Sequence, residues 1–296
     1  MNIIVIGAGT MGQGIAQSLA MYKNRVYIIE QNEQQRNKAF ENISLSLKKF
    51  VSKGVCTEDN AIATMQNIHF GMTLEQLSKE PIQLVIEAIY ENELAKGKIF
   101  QLLGTLFSAE TILASNTSSI SISTLSQQTT YPERVIGMHF MNPVPLMKLV
   151  EIITTEQTSS TTLQLIKDLT IQIDKTPCIV KDYPGFIANR ILMPMINEAI
   201  LAFEQGISDI VTIDTICKLG FAHPMGPFKL ADLIGLDICF QILEILENGF
   251  QDKKYKPAQI LKKLVQNGML GKKTGKGFYI YANTLSEPEI NPVVFE

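Results

Sequence analysis

Four polar residues stand out in this sequence because each ends or interrupts an apolar segment. His139 lies at the end of the run Arg134–Phe140, with Asn142 just beyond it. Glu151 sits among Leu149, Val150, Ile152 and Ile153. A carboxylate in such company either faces solvent or needs a buried partner. Ser118 belongs to Ser115-Asn116-Thr117-Ser118-Ser119, directly after another apolar run, and Asn189 lies between Ile187 and Ile191. A lone histidine is more often structural than catalytic, so spacing alone does not assign these residues. The chemistry of alcohol oxidation does bring them together. Hydride can leave the carbon only if a base accepts the hydroxyl proton, and histidine titrates near neutral pH and serves in both directions. A neighbouring carboxylate holds the imidazole in one tautomer and stabilises its cation. Ser118 and Asn189 can hydrogen-bond an oxygen that alternates between hydroxyl and carbonyl.

Such chemistry needs a hydride carrier, and the chain opens on a motif that binds one. Gly7-Ala8-Gly9-Thr10-Met11-Gly12 fits G-x-G-x-x-G, follows the apolar run Asn2–Ile6 and opens a helix. Gly7 permits the tight turn, Gly9 lets backbone approach a pyrophosphate, and Gly12 lets the helix pack on the strand. The helix amino terminus, beginning near Thr10 and Met11, offers free N–H groups to the phosphates. The alternative is a glycine-rich turn without a ligand. Glu30, at the end of the second apolar run, argues against that alternative: a carboxylate there accepts from the ribose hydroxyls and repels the extra phosphate of NADP. NAD is therefore the expected cofactor, with Arg36, one turn further on, as the counterweight. Glu91 and Lys96 follow the run Ile82–Ile89, where a doubly wound sheet has its ligand crevice. Position alone leaves them divided between cofactor contacts and surface charge.

The elements that must position these residues follow from the pattern. Short β-rich runs alternate with helical segments through the first half: Asn2–Ile6, Arg25–Glu30, Ile82–Ile89, Thr111–Ser115 and Arg134–Phe140 read as strands. This alternation predicts an α/β, Rossmann-type doubly wound parallel sheet with helices on both sides. Asn32–Lys53 reads as a long helix, and Thr57 as the cap of the next. Leu149–Thr154 and Pro177–Lys181 read as later, edge or antiparallel strands around a helix near Ser160–Ile173. After Pro184 the pattern turns all-helical, so the expected domains are 1–183, binding the dinucleotide, and 184–296, an all-α carboxyl-terminal domain. Pro184 is read as a first-turn proline, Ser208 as the cap of a helix over Asp209–Leu219, and Pro227 as the start of another helix. The glycine- and lysine-rich stretch Gly268–Tyr281 is read as a strand returning to the first domain.

Composition narrows the function classes. The 296 residues are 46% hydrophobic and carry 26 basic and 29 acidic side chains, a net charge of −3. No strongly basic face is implied, so nucleic acid is not an expected partner. No apolar run reaches membrane-spanning length. The amino terminus enters the glycine motif at once, leaving no room for a secretory signal. The four cysteines (Cys56, Cys178, Cys217 and Cys239) are scattered, and the histidines lack metal-ligand spacing. These features point to a cytoplasmic protein with no disulfide framework and no metal centre.

Taken in order, the motifs resemble the 3-hydroxyacyl-CoA dehydrogenase family, of the short-chain 3-hydroxybutyryl-CoA type. The resemblance covers essentially the whole chain: GAGTMGQGIA at 7–16, IEAIYEN at 86–92, ASNTSSI at 114–120, HFMNPVPLMKLVEI at 139–152, PGFIANR at 184–190, HPMGPFKLADLIGLD at 223–237 and GKKTGKGFY at 271–279. It implies that His139 and Glu151 form the catalytic pair and that Ser118 and Asn189 contact the substrate oxygen. It implies cofactor contacts at Glu91, Lys96, Ser118, Asn142 and Lys273, coenzyme A contacts at Ser46 and Lys53, an acyl-CoA substrate and a homodimer. Apolar helices in the second domain, such as Gly226–Phe240, are the expected interface. Glu30 departs from the aspartate usual in the family. Three alternatives remain. A related dehydrogenase acting on a sugar acid or carnitine keeps every motif, because fold and cofactor do not decide substrate. A hydrolase built on Ser118, His139 and Glu151 lacks the G-x-S-x-G elbow. A non-enzymatic NAD-binding protein leaves the four polar residues without a role.

Overall fold

The computed structural model describes residues 1–281 and 288–295, and its contacts divide the chain into two compact units, Met1–Tyr183 and Pro184–Glu296. In the first unit the apolar runs become strands β1 (Asn2–Ile6), β2 (Arg25–Ile29), β3 (Ile68–Phe70), β4 (Leu84–Glu87), β5 (Ile112–Ser115), β6 (Val135–Phe140), β7 (Leu149–Thr154) and β8 (Thr176–Lys181). They form one sheet in the order β3-β2-β1-β4-β5-β6-β7-β8. Neighbours pair parallel throughout, except for the antiparallel pair β6 and β7. The chain winds outward from β1 through β2 and β3, then returns to β4 on the other side of β1. The winding therefore reverses between β1 and β4, which opens a crevice at the strand carboxyl ends.

The helices of this unit are α1 (Thr10–Ala20), α2 (Glu33–Ser52), α3 (Glu58–Gln66), α4 (Leu74–Leu77), α5 (Glu93–Leu106), α6 (Ile122–Ser126) and α7 (Ser160–Gln172). Ile15 and Leu19 of α1, Ile43 and Leu47 of α2, and Ile166 and Leu169 of α7 share one core with Ile3, Val5, Ile86, Ile136 and Ile152 of the sheet. Alternate strand residues point to the opposite face. There Gly137 lets Ile122 of α6 and Ile153 of β7 approach so closely that a β-carbon would clash with both. Asn32 caps α2 and Thr57 caps α3 by accepting from the backbone three residues on. The short strand β3 was not anticipated: three residues are too few to show a period.

The second unit holds α8 (Ala188–Glu204), α9 (Ile210–Gly220), α10 (Pro227–Ile234), α11 (Leu236–Phe250) and α12 (Gln259–Gln266), with a two-stranded antiparallel sheet of β9 (Tyr279–Ile280) and β10 (Glu289–Ile290). Several sequence expectations are corrected here. Pro184 precedes the helix rather than opening it, because Gly185 and Phe186 both take left-handed backbone, at φ 70° and 51°. Asp209, not Ser208, caps α9, accepting from Thr212 N at 2.8 Å. The stretch 268–281 does not return to the first unit. Its strand β9 pairs with β10 and is fixed inside the second unit by two buried acids. Asp232 accepts from Phe278 N, Tyr279 N and Tyr281 Oη at 2.9, 2.9 and 3.0 Å, and Asp214 accepts from Tyr279 Oη at 2.8 Å. Within 226–240, Pro227, Phe228 and Ala231 are buried, while Leu233 and Ile238 remain exposed. Further exposed apolar side chains lie on and around α9, at Ile207, Val211, Ile216, Leu219 and Phe221. Among the described residues, no helix is long and apolar enough to cross a membrane.

Candidate active site

The antiparallel pairing of β6 and β7 places His139 directly opposite Glu151. Side chains facing each other across such a pair stand close enough to interact. Here His139 Nδ1 lies 2.7 Å from Glu151 Oε2, and the two residues are 8% and 2% exposed. With the imidazole donating from Nδ1, the buried carboxylate has the partner it needs, and the ring is held in one orientation. A loop of residues 141–148 joins the two strands. It is clamped by the buried Lys175, whose ammonium donates to the carbonyls of Val144 and Met147 at 2.6 and 2.7 Å. Asn142 lies exposed in this loop.

Ser118 is positioned from the neighbouring loop after β5. One oxygen of Glu91 accepts from Thr117 Oγ1, Ser118 N, Ser118 Oγ and Ser119 Oγ at 2.5, 2.9, 3.2 and 3.0 Å. Burial alone would raise the Glu91 carboxyl. The Lys96 ammonium and these donated hydrogen bonds outweigh burial and hold it below the usual carboxylate range. Lys96 is itself enclosed: its ammonium donates to Glu87 Oε1 at 2.7 Å and lies 3.3 Å from Glu91 Oε2. Lys96 and Glu91 thus act on each other and on the Ser118 loop. Glu87, Asn116, Lys175 and Asp182 were missed in the sequence. Asn116 Oδ1 accepts from Phe140 N at 3.0 Å, tying the Ser118 loop to the end of the His139 strand. Asp182 accepts from Ser121 Oγ and Ser123 N, both at 2.8 Å. A signal for Glu87 was present: like Glu151, it is a lone carboxylate inside an apolar run.

The glycine turn fits a dinucleotide. Gly7 has a φ of 103°, and a β-carbon there would lie 2.6 Å from the carbonyl oxygen of Ala88. A β-carbon at Gly12 would lie 1.9 Å from the carbonyl oxygen of Gly7, so only glycine allows α1 to start this close to β1. At Gly9, by contrast, a β-carbon would meet nothing within 4 Å, which leaves the backbone open to a phosphate. Thr10 and Met11 begin α1 with no acidic residue in its first turn. Glu30 lies just past β2, with Oε2 accepting from Ala8 N at 3.3 Å and Oε1 from Asn32 N at 3.0 Å. Arg36 donates to the carbonyls of Glu30 and Gln31 at 2.7 and 3.0 Å, beside that carboxylate.

The remaining expected residues lie elsewhere. Ser46 is half-buried on α2, and Lys53 is exposed at its carboxyl cap. The groove of about 610 Å³ between α2 and α3 is lined by Ser44, Lys48 and Ser52 but by neither of them. Asn189 and Lys273 belong to the second unit. Asn189 is buried in the first turn of α8, and Lys273 pairs with Asp237 at 2.6 Å.

Both units match known proteins. Residues 2–183 match the model of the 3-hydroxyacyl-CoA dehydrogenase NAD binding domain, and residues 185–281 match that of the carboxyl-terminal domain. A protein of Deinococcus radiodurans named as a probable 3-hydroxybutyryl-CoA dehydrogenase is 46% identical over 281 residues, 95% of this chain and 100% of that protein. The mitochondrial hydroxyacyl-coenzyme A dehydrogenase of Sus scrofa is 40% identical, covering 95% of this chain and 91% of that one. The crystal structure of (S)-3-hydroxybutyryl-CoA dehydrogenase from Ralstonia eutropha superposes with a TM-score of 0.91 at 41% identity, covering 95% of this chain and 99% of that chain.

Proposed function

This chain belongs to the 3-hydroxyacyl-CoA dehydrogenase family, and from that premise we propose that it oxidises the 3-hydroxyl of a short 3-hydroxyacyl-CoA such as 3-hydroxybutyryl-CoA, reversibly, to the 3-oxoacyl-CoA. NAD is its cofactor and supplies the hydride acceptor when bound. The observation that carries the catalytic assignment is the buried His139–Glu151 contact across β6 and β7. Glu151 keeps the Nδ1 proton in place, so the substrate hydroxyl gives its proton to Nε2 of His139 and takes it back in the reverse reaction. The resulting imidazolium is stabilised by the carboxylate 2.7 Å away. Ser118 and Asn189 bind the substrate oxygen, and Glu91 keeps the Ser118 loop in position for this. The backbone of Gly7 to Gly12 holds the pyrophosphate and Glu30 the adenosine ribose. Glu91, Lys96, Asn142 and Lys273 complete the cofactor side, Lys96 by holding Glu91. Ser46 and Lys53 of α2 meet the coenzyme A end.

Residues 1–183 serve as the NAD-binding domain and residues 184–296 as the substrate and dimerisation domain of a cytoplasmic homodimer. The exposed apolar side chains around α9 support the dimer. The deciding experiment offers the purified protein NAD with 3-hydroxybutyryl-CoA, carnitine and a 3-hydroxy sugar acid in parallel, and follows NADH. Formation of NADH with the thioester well above the other two supports the proposal. Preference for either of the others moves the chain to a different activity within the same superfamily.

A further inference from the structure

Glu91 and Lys96 have places in the proposed reaction, but Glu87, at the carboxyl end of β4, has none. Glu87 is fully buried; its Oε1 accepts from Lys96 Nζ and from Ile89 N, both at 2.7 Å, and its Oε2 from Ser115 Oγ at 2.6 Å. Both oxygens only accept, the pattern of an ionised carboxylate. Lys96 is shared with Glu91, so two carboxylates face one ammonium and a single negative charge is left over. Burying charges in this way is costly, and apolar side chains of similar volume often serve stability as well. The cluster is sealed at Glu87 and Lys96 but opens at Glu91, whose side chain is 27% exposed. Water and salt therefore screen it only weakly.

Its place in the sheet gives the charge a target. A dinucleotide with its ribose at Glu30, past β2, and its pyrophosphate at Gly7 to Gly12, past β1, runs along the strand ends in one direction only. Its nicotinamide end then extends towards β4, β5 and His139 on β6. We propose that the Glu87–Lys96–Glu91 cluster selects the redox state of the cofactor, its uncompensated negative charge favouring the cationic oxidised nicotinamide over the neutral reduced one. The proposal rests on the NAD reading above. Adenosine and pyrophosphate are common to both forms, so their contacts leave the ratio of the two affinities unchanged. Contacts at the nicotinamide end set that ratio, and a fixed charge there acts on the cationic ring far more than on the neutral one.

The test measures Kd for NAD⁺ and for NADH separately by calorimetry, without substrate. Glu87→Gln removes the surplus charge and is expected to weaken NAD⁺ at least about fivefold more than NADH. Glu91→Gln, at the partly exposed end, is expected to do the same and stands in if the buried variant does not fold. The double variant Glu87→Gln with Lys96→Met keeps one negative charge and should return the ratio to its original value. A merely structural cluster would lower both affinities together. An unchanged ratio in both single variants, with binding intact, overturns the proposal alone. Failure of the unaltered protein to bind either form removes the NAD reading and the proposal with it.

Discussion

At the scale of single residues, the site depends on carboxylates with different tasks. In the proposed reaction Glu151 orients the base and Glu30 faces the cofactor, while Glu91 gathers the Ser118 loop. Glu30 makes the most specific demand. Its Oε2 is tied to Ala8 N in the glycine turn, while the Arg36 guanidinium lies against its own carbonyl. The carboxylate therefore repels a 2′-phosphate that Arg36 would otherwise attract. In kcat/KM measured with both cofactors, the unaltered chain should favour NAD, and Glu30→Ala should move the ratio towards NADP by about tenfold or more. Equal use of the two cofactors by the unaltered chain would show that Arg36 already dominates. The glycine motif, Glu30, His139, Glu151 and Ser118 stand out in the sequence because each ends, follows or interrupts an apolar run. Their partners are less legible there. The family resemblance implies a cofactor contact at Lys96, but nothing in the sequence shows that its ammonium also meets Glu87, nine positions back.

At the scale of elements, the sheet of the first unit was legible from strand composition, and its register was not. That His139 meets Glu151 depends on β7 running antiparallel to β6, and periodicity cannot distinguish this from a parallel crossover. The strand β9 was misplaced for a related reason: its anchors, Asp214 and Asp232, lie far from it in sequence on α9 and α10. Burial pushes Asp232 up to about 6. The folded chain thus holds a proton that the unfolded chain releases near 4, so this group's contribution to stability falls as pH rises from about 4 to 6. Asp232→Asn does not titrate and leaves part of the Phe278–Tyr281 backbone without an acceptor, costing about 1–3 kcal/mol. In urea unfolding, the stability advantage of the unaltered chain over this variant should shrink across that pH window. An advantage independent of pH would show that Asp232 does not carry the proton. Along α2, Lys53→Glu should raise KM for 3-hydroxybutyryl-CoA while sparing a truncated thioester without the nucleotide. The effect should fade in high salt, as expected of an exposed charge. Equal effects on both substrates would remove α2 as the coenzyme A handle.

At the scale of the whole molecule, the first unit holds the glycine turn, His139 and Glu151, and the second holds Asn189, Lys273 and exposed apolar side chains around α9. Exposed apolar side chains gathered on one element mark an interaction surface. The chain should therefore sediment at twice 32.9 kDa, and a Leu219→Glu, Phe221→Glu variant should shift it towards the monomer. Sedimentation of the unaltered chain as a monomer would leave that face to another partner. In the proposed reaction, NAD-dependent oxidation of a 3-hydroxyacyl-CoA passes its proton through His139. The most direct measurement compares His139→Gln with the unaltered protein, following NADH formation from 3-hydroxybutyryl-CoA alongside the Kd for NAD. His139→Gln should lower kcat by about 10²–10⁴ with NAD affinity nearly unchanged. Near-normal turnover in the variant would contradict this role for His139.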